Sequence, residues 1–199
     1  GEQMPGVSLS IGDKVRIACA LARLKVDYIE AGFPASSPND KKAVERISEQ
    51  VRGSTVVALA RADRGDIEAA AEALRAAERK RLHVFIATSD LHLEQKLRMS
   101  REEVLRRVGD AVSYARTLCD EVEFAAEDAS RSDFDFLCAV LETAAAAGAC
   151  CLNIPDTVGY AAPGEFGNLI ARIRRRIARP EVALSVHCHN DLGLATANT

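Results

Sequence analysis

The chain has no C-x-x-C pair, no long apolar run, no excess of one charge and no glycine-rich phosphate turn. Each absence closes off a class. The six cysteines, at positions 19, 119, 138, 150, 151 and 188, fall mostly in apolar stretches. That rules against a zinc knuckle and a disulfide framework, and it predicts reduced, buried thiols of a cytosolic protein. No stretch approaches the length of a membrane span, and no signal-peptide pattern is visible. Lys and Arg total 26 against 29 Asp and Glu, a net charge of −3, which argues against a nucleic-acid-binding protein. The one basic cluster, Arg172, Arg174, Arg175, Arg176 and Arg179, sits on a predicted helix and reads as a solvated face. No G-x-G-x-x-G turn follows any predicted strand, which counts against a dinucleotide-binding sheet.

What is present is an ordinary globular composition: 199 residues, 48% hydrophobic and 28% charged. The length suits one domain or part of a larger one. The chain opens on Gly1 rather than Met, and few residues follow its last predicted strand, so it is expected to be a piece of a longer protein.

Hydrophobic periodicity gives a helix, then five strand–helix pairs, then a strand. Ser10 caps a helix reaching about residue 24, and Ser37-Pro38 opens a second with Val44, Ile47 and Val51 on its apolar stripe. Further helices are expected at 66–80, 100–118, 132–147 and 163–178. The third of these six opens with Ile67, Ala70, Leu74 and Ala77 inward, and the fourth with the capping box Ser100-Arg101-Glu102-Glu103. Strands are expected at 26–30, 54–60, 82–87, 121–125, 149–154 and 182–187, with a longer connection at 88–99.

Strict alternation of strands and helices means a parallel sheet with helices outside. Polar residues gather at the C-terminal strand ends: Glu30, Arg61, Thr88, Glu127, Asn153, Asp156, Thr157, His187 and His189, with His83 nearer the start of its strand. Contributions from every strand favour a TIM (β/α)8 barrel over a doubly wound sheet, which binds mostly at one switch point. The expected fold is therefore a barrel fragment in which residues 1–199 form one catalytic domain carrying strands two to seven. One strand would precede Gly1, and the last strand and helices would follow Thr199.

The final strand exits at His187-Cys188-His189-Asn190-Asp191. Side chains alternate along a strand, so both imidazoles point one way and Cys188 the other. Two such nitrogens can serve one divalent metal, with Asn190 and Asp191 adding oxygens. Spacing alone also allows a pair of polar residues at a strand end.

Taken together, the strand ends resemble the 2-isopropylmalate synthase family, a group of metal-dependent barrel enzymes that condense acetyl-CoA with 2-oxo acids. Gly1-Glu2-Gln3 resembles the tail of that family's L-R-D-G-E-Q motif, and the run from Ile29 through Pro38 its second strand. Ala58-Leu59-Ala60-Arg61 and His83-Val84-Phe85-Ile86-Ala87-Thr88-Ser89 are similar to the third and fourth strands. The runs from Val122 to Asp128 and from Asn153 to Tyr160 are similar to the fifth and sixth. His187-Cys188-His189-Asn190-Asp191-Leu192-Gly193 is similar to the metal motif at the seventh. Seven motifs in order make the resemblance specific.

The resemblance implies that His187 and His189 bind a divalent metal, Mn, Mg or Zn. The family's third ligand is an Asp that would stand one position before Gly1, its fourth an Asn beyond Thr199, and its catalytic Arg also precedes Gly1. Gln3 would help hold the metal loop. Leu59, His83, Glu127, Asn153, Pro155 and Thr157 match the oxo-acid pocket. His83 would hydrogen-bond the substrate near its developing negative charge, and Thr157 and Asn153 would hold the carboxylate. Leu59 and Pro155 would receive the branched side chain. Glu127 is the candidate base for the acetyl-CoA methyl proton, or else a partner that orients a ligand or water. Glu30 is expected to bond neighbouring strand ends, Arg61 to form a structural ion pair and His92 to lie on the surface. Two departures stand out: Ala125 where the family usually has Ser, and Lys25 where it usually has Gly at a helix end.

The implied reaction joins acetyl-CoA to 3-methyl-2-oxobutanoate and hydrolyses the thioester, a step of leucine biosynthesis, in a cytoplasmic homodimer whose partners are small molecules rather than nucleic acid or membrane. Citramalate synthase, homocitrate synthase and a non-catalytic metal-binding barrel fragment are the alternatives.

Overall fold

The computed structural model describes residues 6–199. The Gly1-Glu2-Gln3 motif and the role expected of Gln3 lie outside the described residues. Among the described residues there are two compact units: one runs from Gly6 to His83 and includes Leu118–Glu121, and the other comprises Val84–Thr117 and Val122–Thr199.

The first unit holds α1 (Ile11–Arg23), β1 (Tyr28–Gly32), α2 (Pro38–Gln50), β2 (Thr55–Arg61), α3 (Arg64–Ala73) and the first half of β3 (Lys80–Ala87). The second holds the rest of β3, the short α4 (Asp90–His92), a π-helical turn at Leu93–Leu97, α5 (Arg101–Leu118, whose last residue is counted with the first unit) and β4 (Val122–Glu127). After β4 come a 3₁₀ turn at Ala129–Arg131, α6 (Phe134–Ala146), β5 (Cys151–Asp156), α7 (Pro163–Arg176), β6 (Ala183–Cys188) and α8 (Ala195–Asn198). The sheet runs in chain order from β1 to β6, and the β1–β2, β4–β5 and β5–β6 pairs are parallel.

Burial explains why these segments became strands. β2 and β5 are covered on both faces, as parallel strands under helices are, while the edge strand β1 alternates between exposed and buried residues. Val44, Ile47, Ile67, Leu74 and Leu82 fill the core of the first unit; Phe124, Leu137, Leu141, Leu152 and Phe166 fill that of the second. The 118–121 segment is tied to the first unit by Arg81, which donates twice to Glu121 (2.7 and 3.0 Å) and lies 3.9 Å over the Tyr28 ring.

Local signals set most boundaries. Ser10 and Asp13 cap each other at the start of α1, Ser37 accepts from the Asp40 N–H, and Ser100 and Glu103 close a second reciprocal box. Several boundaries differ from expectation. Helix α3 starts two residues early, capped by Asp63, and ends at Ala73 instead of running to Lys80. The sheet claims the end of that stretch: the Val56 N–H donates to the Arg79 carbonyl, and β3 begins at Lys80. β1 starts at Tyr28, two residues later than the pattern implied. At α6 the cap is Asp133, which accepts from the Phe136 N–H, because the Ser132 hydroxyl is engaged with Asp128 and Thr88.

Lys25 closes α1 in an uncommon way. Its N–H bonds the Ala22 carbonyl and that of Val26 bonds Leu21, a Schellman closure, with Lys25 at φ +60°. The cap is the usual one, built with a residue that a left-handed backbone strains. Lys25→Gly is therefore expected to raise stability by about 1 kcal/mol in urea unfolding, and an unchanged or lowered midpoint would contradict this.

Candidate functional site

In the second unit, side chains at the ends of β4, β5 and β6 are placed by sheet register. Asn153 pairs with Ser185, Pro155 with His187 and Asp156 with Cys188. His187 and His189 lie on one side of the β6 exit as expected, their ring centroids 4.8 Å apart and their planes 30° from parallel. This puts two imidazoles, donors of the type divalent ions take, on one side of the exit. The oxygens expected from the next two residues do not join them. Asn190 turns its carbonyl oxygen to the Ala195 N–H, and Asp191 packs over Gly159. No group of three or more His, Cys, Asp or Glu side chains suited to a metal occurs among the described residues. Burial pushes the Cys188 thiol up from its ordinary value, which keeps it a thiol rather than a thiolate ligand.

Asp156 organises this corner. It is fully buried; its carboxylate accepts from the Ser130 hydroxyl (2.9 Å) and the Ala161 N–H (3.1 Å). Its carbonyl accepts from the N–H groups of Gly159 (3.1 Å) and His189 (3.3 Å). Gly159 sits at φ +63°, and a Cβ there would lie 2.5 Å from Asp191 Oδ2 and 3.0 Å from the backbone of both His189 and Asp191. Only glycine lets the turn after β5 press against the histidine loop.

Asn153 is 6% exposed. Its amide nitrogen donates to Glu123 Oε1 and Ser185 Oγ, both at 3.0 Å, while its buried oxygen makes no hydrogen bond among the described residues. The hydrogens expected to grip a carboxylate are thus committed, and what Asn153 offers is an acceptor. Thr157 Oγ1 accepts from the Asp128 N–H at 2.9 Å, which leaves its own proton to donate. Glu127, at the end of β4, is spanned by Lys96, whose ammonium reaches both carboxylate oxygens at 2.7 and 2.9 Å.

His92 departs from expectation. It does not lie on the surface: it belongs to α4, its side chain is 22% exposed, and Nδ1 stands 3.7 Å from Glu127 Oε1. Its neighbour Asp128 is fully buried at φ +68° and gripped at both oxygens by Arg131 (2.7 and 2.8 Å), a pairing that holds the Arg131 guanidinium above its ordinary value. Sequence reading missed Lys96, Asp128 and Gly159. Only the four-residue spacing of His92 and Lys96, one helical face ahead of a strand, hinted at the first.

In the first unit, His83 is 5% exposed and its Nδ1 lies 2.6 Å from Glu30 Oε2, so Glu30 reaches past the adjacent β2 to β3 rather than bonding a neighbouring strand end. The carboxylate fixes the ring's orientation and compensates its charge when both nitrogens carry protons. Leu59 is half-buried near the end of β2. Arg61 donates from Nε and Nη2 to Asp66 at 2.5 and 3.0 Å, the structural pair expected of it.

Parallel strands in chain order, each followed by a helix and carrying polar groups at their C-terminal ends, define the (β/α)8-barrel class, of which the chain supplies six strands among its described residues. The chain belongs to the HMGL-like family, whose model matches residues 1–199. It is 61% identical over 200 residues to a 2-isopropylmalate synthase of Pelotomaculum thermopropionicum, with all of this chain and 40% of that protein covered. With a 2-isopropylmalate synthase of Pyrococcus furiosus the identity is 56%, again over all of this chain and 40% of the relative. The chain thus spans about two fifths of the length of these curated relatives. Among solved structures, hydroxymethylglutaryl-CoA lyase from Pseudomonas aeruginosa superposes with a TM-score of 0.78 at 24% identity, over 97% of this chain and 66% of that one. The carboxyl transferase domain of Rhizobium etli pyruvate carboxylase gives 0.64 at 18%, over 96% and 34%. These two similarities speak to the fold. No helix among the described residues is long and apolar enough to cross a membrane.

Gly159→Ala should cost about 1–3 kcal/mol in denaturant unfolding and move the His189 imidazole resonances while leaving those of His92 in place. Unmoved His189 signals would show that the turn does not set the histidine loop.

Proposed function

We propose that this chain carries the condensing chemistry of a 2-isopropylmalate synthase: acetyl-CoA and 3-methyl-2-oxobutanoate join, and water releases CoA from the thioester. The observation that carries the reading is the pair of imidazoles on one side of the β6 exit, in a chain 61% identical to a protein of that name. His187 and His189 would hold a divalent ion, Mn, Mg or Zn, which when bound supplies Lewis-acid polarisation of the ketone and is worth several kcal/mol on the developing alkoxide.

The chain's own groups do the rest. Glu127 takes the methyl proton of acetyl-CoA once Lys96 releases it. Thr157 donates its hydroxyl proton to the substrate carboxylate, and Asn153 accepts from a hydroxyl or water beside it. The resemblance assigns His83, whose Nδ1 is held by Glu30 in the first unit, to the oxygen that gains charge. The resemblance assigns Leu59, in the first unit, and Pro155, in the second, to the branched side chain. The working form is a cytoplasmic homodimer acting on small molecules. A 2-oxoglutarate substrate would need a cation for its second carboxylate, and the commitment of Arg61 to Asp66 speaks against it.

The test is CoA release by the full-length protein with a panel of 2-oxo acids. Preference for 3-methyl-2-oxobutanoate is expected. Preference for pyruvate would make it a citramalate synthase, and no release with any acid despite bound metal would leave a non-catalytic barrel. His187→Ala and His189→Ala should each abolish metal-dependent turnover, and surviving activity would overturn the ligand assignment.

A further inference from the structure

The segment from Asp90 to Leu97 brings two side chains to Glu127. It passes from α4 into the π-helical turn, a wide turn that is rare in helices and concentrated at functional sites. One of the two side chains, Lys96, bonds the carboxylate and is half exposed. The other, His92, stops short. Its Nδ1 lies 3.7 Å from Glu127 Oε1 and 4.0 Å from Asp128 Oδ2, is buried, and makes no hydrogen bond among the described residues. A buried ring nitrogen left unbonded costs about 1–3 kcal/mol, so its place beside two carboxylates calls for an explanation. Two negative oxygens within 4.0 Å favour the tautomer with its proton on Nδ1.

Asp128 is not free to turn toward that proton. Arg131 takes both of its oxygens, and the Ser89 hydroxyl adds a further bond to one of them. Glu127 can turn, because the ammonium that holds it stands half in solvent. A shift of about 0.8 Å would bring Glu127 Oε1 to ordinary N–H···O distance from His92. The two partners differ in what they leave open. An ammonium spanning both oxygens closes one edge of the carboxylate and neutralises its charge. An imidazole N–H on one oxygen orients the group and leaves the other oxygen open to a C–H proton.

We propose that His92 is a positioning residue for Glu127: when Lys96 leaves the carboxylate, His92 Nδ1–H takes it over and holds it for proton abstraction. The proposal rests on the reading of Glu127 as the base.

Its test uses the full-length, metal-loaded protein. His92→Leu should lower kcat by at least about tenfold, part of the 10²–10⁴ that a positioned base supplies, with KM for the oxo acid nearly unchanged. His92→Asn, which places an amide N–H where Nδ1 stood, should restore most of the loss. Wild-type kcat in His92→Leu, or no rescue by Asn in a folded variant, would overturn the proposal. The second readout is independent of turnover. Lys96→Met should shift the ¹⁵N resonance of His92 Nδ1 as Glu127 moves onto it, and the further change Glu127→Gln should remove that shift. A resonance indifferent to Lys96→Met overturns the proposal even if His92→Leu fails to fold. If wild-type protein releases no CoA from any 2-oxo acid, the functional reading falls, and the Nδ1 resonance alone decides whether His92 takes up Glu127.

Discussion

A carboxylate sealed from solvent, that of Asp156, is the constraint on which the candidate metal corner depends. Burying such a charge costs several kcal/mol unless every lone pair finds a donor. Here the Ser130 hydroxyl beyond β4 and the Ala161 N–H at the entrance to α7 bond the two carboxylate oxygens, and the backbone carbonyl of the same residue separately accepts from the N–H groups of Gly159 and His189. One residue thereby fixes where β5 stops, where α7 starts and where the second histidine's backbone lies. The tight φ +63° turn at Gly159 is a consequence of that arrangement, since the histidine loop is drawn against it.

The polar groups fall into two kinds. Thr157 and the Asn153 oxygen keep hydrogen-bonding capacity for a ligand among the described residues. Glu123 and Ser185 hold Asn153, and the Asp128 N–H holds Thr157, while Arg131 and Ser130 hold Asp128 and Asp156 in turn. Glu127 belongs to both, because it ends a strand and is also held by Lys96. The positioning side chains come both from the strands, as Glu123 of β4 and Ser185 of β6, and from the turns after them, as Asp128, Ser130 and Arg131.

Most of the fold was legible because its signals are local. Ser10, Ser37 and Ser100 cap the helices that they announced, and the order of strands and helices comes from periodicity and punctuation. The failures come from competition that a sequence does not display. The alanine-rich stretch after Ala73 keeps a helical pattern, yet the sheet takes Arg79 and Lys80. Ser132 and Asp133 are both good caps, and the choice turned on Asp128 and Thr88, which claim the serine. At the site, the strand-end side chains and the facing imidazoles were legible from alternation. The bond from Glu30 to His83, 53 residues apart, was not legible, because it passes over the adjacent β2 to reach β3. His92 was misplaced because a polar loop segment gave no sign of the turn that carries it inward.

The central claim is that the β6 exit holds a divalent ion between two imidazoles. Its most direct test is anomalous diffraction from crystals of the full-length protein grown with Mn. The account predicts a single strong peak about 2.0–2.3 Å from a ring nitrogen of both His187 and His189. A peak bound by only one of them, or one elsewhere with both rings still stacked, would contradict it.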